Sequence, residues 1–302
     1  MSPAGARSER SADPGGFFRA ADEPLRAPFI EQVEAACAAL GIDLTWSSSQ
    51  WIATMERGGR RQRVAGYTFG LNDSAAVELA VDKGAASSVL SAASIAAVRH
   101  REWTFGGLGS RECAELVAGA ERLPVVAKPV RGHSGADVHR AGSVDELAAV
   151  FDAMRERYKS VAVSPLVEDA DEYRLIVLSD RVLLAFVKRR PAAKPGRAAE
   201  WRHNAEFGST GEVLGEESPL YGRLAELARA ALGALGLRVG AVDVFVSTAG
   251  MQVLEVNDAF TLNRFSLESP ERFELAAGVV LAVIGACFDD PVAAGTGDPS
   301  GS

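Results

Sequence analysis

The sequence predicts an α/β (α+β) fold with a reduced N-terminal α/β domain. Three patterns support this prediction. Apolar residues recur at helical spacing over 28–40. An apolar strand at 125–129 runs into a glycine-rich loop and then into a helix over 145–158, which Ser143 opens as N-cap. The segment 241–257 alternates between apolar and polar residues, which is typical of a β-hairpin.

The remaining elements follow from the same periodicities and from the residues that end them. Short apolar stretches bounded by turn residues predict strands, and longer stretches with apolar residues three to four apart predict helices. In chain order we expect a helix at 28–40 ended by Gly41, strands at 44–46 and 64–69, helices at 73–80 and 82–91, the strand, loop and helix of 125–158, a hairpin of 172–178 and 182–189, a helix at 224–235, the hairpin of 241–247 and 251–257, and a helix at 271–287.

Composition and element order divide the chain into five segments. Residues 1–16 and 289–302 are rich in Gly, Pro, Ser and Asp without apolar periodicity, so we predict two disordered tails. Residues 17–95 are predicted to form the reduced N-terminal domain, which is too short for a full doubly wound nucleotide domain. Residues 96–163 and residues 164–288 are the two remaining segments.

The bulk properties exclude several classes of protein. A net charge of −8 argues against nucleic-acid partners, which are held chiefly by an excess of Lys and Arg. Cys37, Cys113 and Cys287 are far apart and lack CxxC spacing, so neither a disulfide framework nor a zinc site is indicated. The N-terminus has no apolar signal region, and the apolar stretch 275–288 is shorter than the ~20 residues that span a bilayer. We therefore expect a cytoplasmic protein with no membrane or nucleic-acid partner.

The last hairpin is predicted to bring two acids and an amide together. Its apolar residues share one side only if the two arms keep matched parity, which a three-residue loop at 248–250 provides. In that register Asp243 lies directly opposite Glu255, and Asn257 is two residues further along the same face. The residues predicted to share the apolar side are Val242, Val244, Val246, Leu254 and Val256.

Two facing carboxylates favour a bound cation. Like charges directly across a ladder destabilise it by ~0.2–1 kcal/mol. Magnesium takes one or two protein carboxylates and completes its shell with water and phosphate oxygens. Asp243, Glu255 and Asn257 are therefore candidate magnesium ligands. The alternative is a solvated strand face without metal.

Two lysines and a glycine-rich loop are candidate phosphate contacts. Lys128 ends an otherwise apolar strand, and the loop that follows it contains Gly132, His133, Ser134 and Gly135. A strand-end lysine beside small residues can hold phosphate by charge, while backbone N–H groups of the loop cover it. Lys83 opens a predicted helix, where it could also be an ordinary surface lysine. The loop histidines could equally be solvated.

The order of these motifs resembles the ATP-grasp superfamily over residues 72–285. The pieces are D-K at a helix start, V-x-K-P, a glycine-rich loop, E-Y-R, K-R, R-x-N, V-D and L-E-V-N. The combination is specific although each piece is not. Within the superfamily the chain is similar to the peptide-ligase branch, which includes ribosomal-protein glutamate ligases and D-alanine–D-alanine ligase.

The resemblance implies a fold that grips ATP between two α+β subdomains, a central one at residues 96–163 and a C-terminal one at residues 164–288. Lys83 and Lys128 would contact the phosphates, the loop 132–135 would close over them, and the acid, acid and asparagine would bind magnesium, in two ions. Leu166 and Val167 fall on the segment that contacts adenine in the family. Ser164 stands where many members carry an acid, which is a departure from the family pattern.

Further site residues follow by matching motif. Glu172 falls where relatives contact the ribose, and a loop of residues 179–181 would place it opposite Lys188. Both could face the nucleotide or form an ordinary cross-strand ion pair. Arg202 and Asn204 match the R-x-N substrate loop, in which the arginine stabilises charge on an acyl phosphate. Arg264 could bind a substrate carboxylate or be an exposed loop arginine.

The resemblance implies an ADP-forming ligase that uses ATP and Mg²⁺. Such an enzyme activates a carboxylate as an acyl phosphate and joins it to an amine, here on an amino acid or small peptide. Arg202, Asn204 and Lys128 would carry the chemistry. The alternatives are an ATP-grasp kinase that phosphorylates a hydroxyl and a non-catalytic nucleotide-binding protein. The sequence leaves the carboxylate, the nucleophile and a homo-oligomeric state open.

Overall fold

The computed structural model describes residues 26–132, 135–191 and 208–289. Over these ranges helices accompany three antiparallel sheets, which confirms the predicted α+β class. The helices are α1 (Ala27–Leu40), α2 (Ser74–Val81), α3 (Lys83–Ala92), α4 (Ser110–Ala120), α5 (Val144–Arg155), α6 (Tyr221–Ala234), α7 (Asn263–Ser266) and α8 (Pro270–Asp289). The strands are β1 (Asp43–Ser47), β2 (Ile52–Arg57), β3 (Arg60–Ala65), β4 (Thr68–Phe69), β5 (Arg101–Thr104), β6 (Val125–Pro129), β7 (His139–Ala141), β8 (Ser160–Pro165), β9 (Asp171–Leu178), β10 (Arg181–Arg189), β11 (Thr210–Val213), β12 (Val239–Ser247) and β13 (Gly250–Asn257).

The first sheet has the order β1-β2-β3-β4. The sequence prediction missed β2 and merged β3 with β4 into one strand. The two are separate because the chain turns at Gly66, where φ is +61°. A Cβ at this position would also lie 2.5 Å from the Trp51 ring. Glycine suits this turn because it adopts positive φ freely and leaves room for the indole.

The second sheet, here called the central sheet, has the order β5-β8-β6-β7 and packs against α4 and α5. Its core is a separate apolar cluster in which Leu147 and Phe151 are fully buried. Ser143 caps α5 as predicted, since its Oγ accepts a hydrogen bond from the Glu146 N–H at 3.2 Å. The Glu146 carboxylate accepts in turn from the Gly142 N–H at 2.7 Å. The predicted strand and helix are therefore confirmed, whereas β7 (His139–Ala141) lies in the segment that was predicted as a loop.

The third sheet has five strands in the order β11-β10-β9-β12-β13, and its two faces differ. One face is apolar and is covered by α6, with α2 and α3 beside it. The other face is apolar at one end, where Ile176 and Ala241 share a core with α1, α8 and the first sheet. At its other end this face carries charged side chains. Alternation of side chains along each strand produces this division.

Both predicted hairpins of the five-stranded sheet form with the expected cross-strand pairs. Asp243 pairs with Glu255, and Glu172 pairs with Lys188. The predicted three-residue loops are wrong. Each arm pair is joined by a two-residue turn, and one extra residue, Leu183 in β10 and Leu254 in β13, bulges from the ladder. The bulge adds back the residue that the shorter turn omits.

The bulge in β13 changes which apolar side chain enters the core. Val253 pairs with Val244 and is fully buried in the apolar cluster under α6. Leu254, which the sequence pattern assigned to that side, instead borders the cavity described below. The prediction for Leu254 is wrong because a strict period of two does not continue through a bulge.

The ends of the chain lie largely outside the described residues. Helix α8 reaches Asp289, so this residue is helical and does not belong to the predicted C-terminal tail. Among residues 26–132, 135–191 and 208–289, no helix combines the length and the apolar character that crossing a bilayer requires.

Candidate functional site

A cavity of about 420 Å³ lies between the central sheet and the charged end of the five-stranded sheet. Its volume falls within the ~300–1,000 Å³ range of small-molecule sites. The structure brings eight of the sequence-predicted site residues to its wall. They are Lys83, Lys128, Gly132, Gly135, Leu166, Val167, Glu172 and Glu255.

Lys128 is a buried cation at the end of a buried strand. All five residues of β6 are buried, and Lys128 is only 7% exposed. Burial lowers the pKa of its ammonium to about 8, although the nearby Glu255 carboxylate opposes this shift. Within the described residues no hydrogen bond or ion pair fixes its Nζ. A cation held in this way is prepared to meet an anion from the cavity.

Lys83 is the first residue of α3 and points toward the glycine-rich loop. Asp82 caps the helix, accepting a hydrogen bond from the Ala85 N–H at 2.9 Å. The Lys83 Nζ donates to the Gly132 carbonyl at 2.9 Å, and its backbone N–H donates to the Val130 carbonyl at 3.2 Å. Burial lowers its pKa, and Glu255 partly counteracts this. The two lysines, one on α3 and one on β6, thus both lie in the field of the Glu255 carboxylate.

The segment after β8 forms the apolar side of the cavity. Leu166 and Val167 are half-buried, and the Leu166 N–H donates to the Pro124 carbonyl at 3.1 Å. Ser164, the departure from the family pattern, is buried and pairs with Val126 in the ladder between β8 and β6. This short connection leads directly into β9, so it joins the central sheet to the five-stranded sheet.

The charged end of the five-stranded sheet contains a row of three residues on neighbouring strands. Arg174, Asp243 and Glu255 lie directly opposite one another on β9, β12 and β13. The Arg174 guanidinium donates from Nε to Asp243 Oδ1 at 2.8 Å and from Nη2 to Asp243 Oδ2 at 2.7 Å. Asp243 has no exposed surface. Burial would raise its pKa, but Arg174 and Lys188 hold it below the ordinary value.

Glu172 and Lys188 form a second row of charged residues, next to the row of Arg174, Asp243 and Glu255. Their buried side chains form an ion pair, and Lys188 Nζ also lies 3.0 Å from Asp243 Oδ1. Glu172 reaches the cavity wall, whereas Lys188 does not. The cross-strand ion pair, which was one of the two alternatives left open by the sequence, therefore exists, and Glu172 alone also borders the cavity.

The three predicted magnesium ligands, Asp243, Glu255 and Asn257, differ in how available their side-chain oxygen atoms are to a metal ion. Glu255 borders the cavity, and its Oε1 accepts a hydrogen bond from the Asn257 side chain at 3.3 Å. Both residues offer oxygen atoms of the kind that magnesium prefers. The Asp243 oxygens are instead occupied by Arg174 and Lys188. The described residues contain no cluster of three or more His, Cys, Asp or Glu that could hold a metal ion. Glu255 and Asn257 fit one ion that is completed by phosphate and water.

Some predicted residues lie elsewhere. Arg264 is an exposed residue of α7 and does not border the cavity. His133, Ser134, Arg202 and Asn204 lie outside the described residues.

The sequence reading overlooked several residues that the fold brings to the site. Arg174 belongs to the quoted E-Y-R motif, and its period of two with Glu172 was the available signal. Phe245 lines the cavity because it shares the face of Asp243. His100 is buried behind the lysines, and its Nε2 has no hydrogen-bond partner among the described residues. Burial and the charges of Lys128 and Lys83 lower its pKa. No sequence pattern pointed to His100.

Comparison with known proteins agrees with this arrangement. Residues 108–280 match the model of the RimK-like ATP-grasp domain. A probable alpha-L-glutamate ligase of Legionella pneumophila (strain Corby) is 26% identical over 253 residues, which cover 83% of this chain and 76% of that protein. One of Rhodopirellula baltica is 29% identical over 175 residues, covering 56% of this chain. The chain spans only 40% of the length of that second relative.

Solved structures of low sequence identity share the fold. D-alanine–D-alanine ligase from Bacillus anthracis is 20% identical with a TM-score of 0.56, over 72% of this chain and 69% of that one. A bifunctional glutathione synthetase from Pasteurella multocida is 16% identical with a TM-score of 0.56, over 85% of this chain and 44% of that one. Because the RimK-like model covers more than half of its length, the chain belongs to the RimK-like ATP-grasp family.

Proposed function

We propose that this chain is an ADP-forming ligase that activates a carboxylate with ATP and Mg²⁺ and joins it to an amine. The observation that carries the proposal is the cavity between the two sheets, with Lys128 and Lys83 at its basic side and Glu255 at its acidic side. Its apolar side, at Leu166, Val167 and neighbouring residues, suits a base. One cavity thus offers matched surfaces for the two ends of a nucleotide.

The chemistry explains why charged groups surround this cavity. A carboxylate is a poor electrophile, and transfer of the γ-phosphoryl group of ATP converts it to an acyl phosphate. An amine then attacks the acyl carbon, and phosphate leaves. During transfer two anions must be held together, so fixed cations lower the barrier. Lys128 and Lys83 supply such charges.

Glu255, at the cavity wall, and Asn257, which donates a hydrogen bond to it, would hold the magnesium ion through their side-chain oxygen atoms. When bound, Mg²⁺ neutralises negative charge on the phosphate groups. Glu172 would contact the ribose, held in place by Lys188. Arg202 and Asn204 remain proposed contacts of the acyl phosphate, and Arg264 a proposed contact of a substrate carboxylate.

The substrate class is an amino acid or a small peptide. Relatives with matching sequences are named probable alpha-L-glutamate ligases. We therefore place glutamate first among the amino acids to be tested, either as the activated carboxylate or as the incoming amine. In this chain Asn257 is followed by the segment Asp258 to Phe265. Many peptide ligases have small residues and Pro-Gly at the corresponding place, so this segment differs from theirs. The acceptor specificity is accordingly proposed to be particular to this chain.

The test is ADP release from ATP and Mg²⁺ with pools of amino acids and dipeptides. The wild type is compared with Glu255→Gln and with Glu226→Gln, which alters an exposed carboxylate on α6 away from the cavity. We expect release that requires both a carboxylate and an amine. Glu255→Gln should reduce it by ~10²–10³-fold, by analogy with the loss of a group that stabilises transition-state charge. Glu226→Gln should retain it.

Hydroxylamine distinguishes the proposal from its rivals. An acyl phosphate is trapped as a hydroxamate, so hydroxamate formation that depends on the carboxylate supports the ligase. A phosphorylated product that is stable to hydroxylamine would instead indicate a kinase. ATP binding without ADP release from any pool would indicate a non-catalytic nucleotide-binding protein.

A further inference from the structure

The Asp243 carboxylate is already satisfied by protein cations. Arg174 binds both of its oxygens as a bidentate fork, at 2.8 and 2.7 Å, and Lys188 lies 3.0 Å from Oδ1. Asp243 has no exposed surface. Such charge-assisted, bidentate pairs are among the strongest hydrogen bonds in proteins. A metal ion could reach this carboxylate only by displacing a partner.

Arg174 also offsets the repulsion between the two carboxylates that face each other across the last hairpin. Asp243 and Glu255 face each other across the ladder, and two facing carboxylates need a positive charge nearby. Arg174 lies in the same row, and its guanidinium interacts electrostatically with Glu255 and Glu172 as well as with Asp243. A cation that offsets these two acids is therefore built into the sheet, on the side of Asp243 away from Glu255. Within the described residues, a second divalent ion at this row would meet an Asp243 carboxylate that is already paired with Arg174 and Lys188.

We propose that this chain binds a single divalent ion with its nucleotide, through Glu255 and Asn257, and that Asp243 is a positioning residue for Arg174 and Lys188. Arg174 then provides a fixed positive charge where a second ion would otherwise lie. This inference rests on the proposed function, since it assumes that a nucleotide occupies the cavity. It departs from the two-ion site that the sequence resemblance implies.

Lys188 links Glu172 to the Asp243–Arg174 ion pair. Lys188 contacts both Glu172 and Asp243, so its ammonium joins the residue at the cavity wall to the buried acid. Glu172 is thereby held at the nucleotide site by a chain of paired charges that ends at Arg174. Buried charges of this kind are stable only when each keeps a partner.

The experiment counts ions and does not depend on turnover. The protein is saturated with a non-hydrolysable ATP analogue and Mn²⁺, and the ratio of bound Mn²⁺ to bound nucleotide is measured by equilibrium dialysis. Electron paramagnetic resonance of the same samples detects the magnetic coupling of two ions, which lie roughly 3.5–4 Å apart in two-metal sites. We expect one ion per nucleotide and no coupling in the wild type.

Three variants sharpen the test. Arg174→Gln should raise the count to two, because it frees the Asp243 carboxylate while Lys188 still keeps that residue paired. Glu255→Gln should weaken Mn²⁺ binding at least ~10-fold, as expected for loss of a site group. Arg189→Gln, which removes an exposed arginine paired with Glu212, is the matched control and should leave one ion.

Each outcome decides between the alternatives. Two coupled ions in the wild type would overturn the inference while leaving the ligase proposal intact. An unchanged count of one in Arg174→Gln would show that Arg174 does not exclude the second ion, and would also overturn it. Failure of the analogue to bind at all would overturn the proposed function, and the inference with it.

Discussion

Lys128 shows how burial prepares a single residue for its ligand. In water the pKa of a lysine side chain is ~10.4, so the ammonium group is charged at neutral pH. Burial at the end of β6 lowers its pKa to about 8, with Glu255 limiting the shift. A phosphate that enters the cavity favours the protonated form and so binds most tightly where this lysine still carries its proton. Its protonation state therefore sets an upper pH limit for nucleotide binding.

We predict that ATP affinity decreases as pH rises from 7 to 9. Above the pKa of Lys128, each unit of pH lowers the charged fraction about tenfold, so binding should weaken by up to ~10-fold at pH 9. Lys128→Arg should show a shallower decrease, because a guanidinium keeps its charge throughout this range. Calorimetric titration with a non-hydrolysable ATP analogue measures both proteins. Equal slopes for wild type and variant would show that another group governs the pH dependence.

At the scale of elements, the two hairpins explain what the sequence could and could not predict. The pairs Asp243–Glu255 and Glu172–Lys188 were predicted because parity fixes which residues can face each other. The turn length was not predicted, because a three-residue loop and a two-residue turn with a bulge give the same pairing beyond the bulge. The residues between the turn and the bulge, from Gly250 to Leu254, are misassigned by one position.

The candidate site was predictable where charge and motif coincide, and was not predictable where contacts depend on packing. Lys83, Lys128, Glu172 and Glu255 reach one cavity as their motifs indicate. The engagement of Asp243 by Arg174 could not be inferred from the last hairpin alone, since it requires β9 to lie beside β12. Pairings between strands distant in the chain are set by the whole fold and not by local pattern.

Helix caps provide a test of how α3 presents Lys83. Asp82 caps α3, and Asp73 caps α2 in the same way by accepting from the Ala75 N–H at 2.8 Å. Replacing either by Ala should lower the free energy of unfolding by ~1 kcal/mol. Only Asp82→Ala should also weaken nucleotide binding, because Lys83 is the first residue of α3. Urea denaturation and nucleotide titration measure the two effects.

Asp82→Asn distinguishes the capping effect of Asp82 from the effect of its charge. This variant keeps a capping side chain but removes the negative charge near Lys83. This variant should retain stability and nucleotide affinity. If Asp73→Ala weakened nucleotide binding as strongly as Asp82→Ala, the effect would be a general loss of stability and the argument for α3 would fail.

At the scale of the whole molecule, the described residues form three apolar cores around the three sheets. β9 contributes Ile176 to the core shared with α1 and α8, and Leu175 to the core under α6. These two cores therefore lie on opposite faces of one sheet. The third core, around Leu147 and Phe151, belongs to the central sheet alone. The candidate nucleotide cavity lies between the two sheets.

This division predicts how the protein unfolds. Met55→Ala and Leu224→Ala remove fully buried side chains from the two cores that share the five-stranded sheet. Each should lower the free energy of unfolding of the same unit by ~2–5 kcal/mol. Leu147→Ala should cost a similar amount but act on the central sheet. Leu275→Ala, at a side chain that is 43% exposed, should change stability by less than ~0.5 kcal/mol.

Hydrogen exchange followed by mass spectrometry resolves which segments each variant affects. Without nucleotide, Leu147→Ala should accelerate exchange in β5–β8, α4 and α5 and leave β9–β13 largely protected, because separate cores open as separate units. A bound ATP analogue contacts both sheets and stabilises only the state in which both are folded, so it should slow exchange in both units together. If Leu147→Ala accelerated exchange uniformly in the nucleotide-free protein, the two sheets would form one cooperative unit, and the nucleotide would not be what couples them.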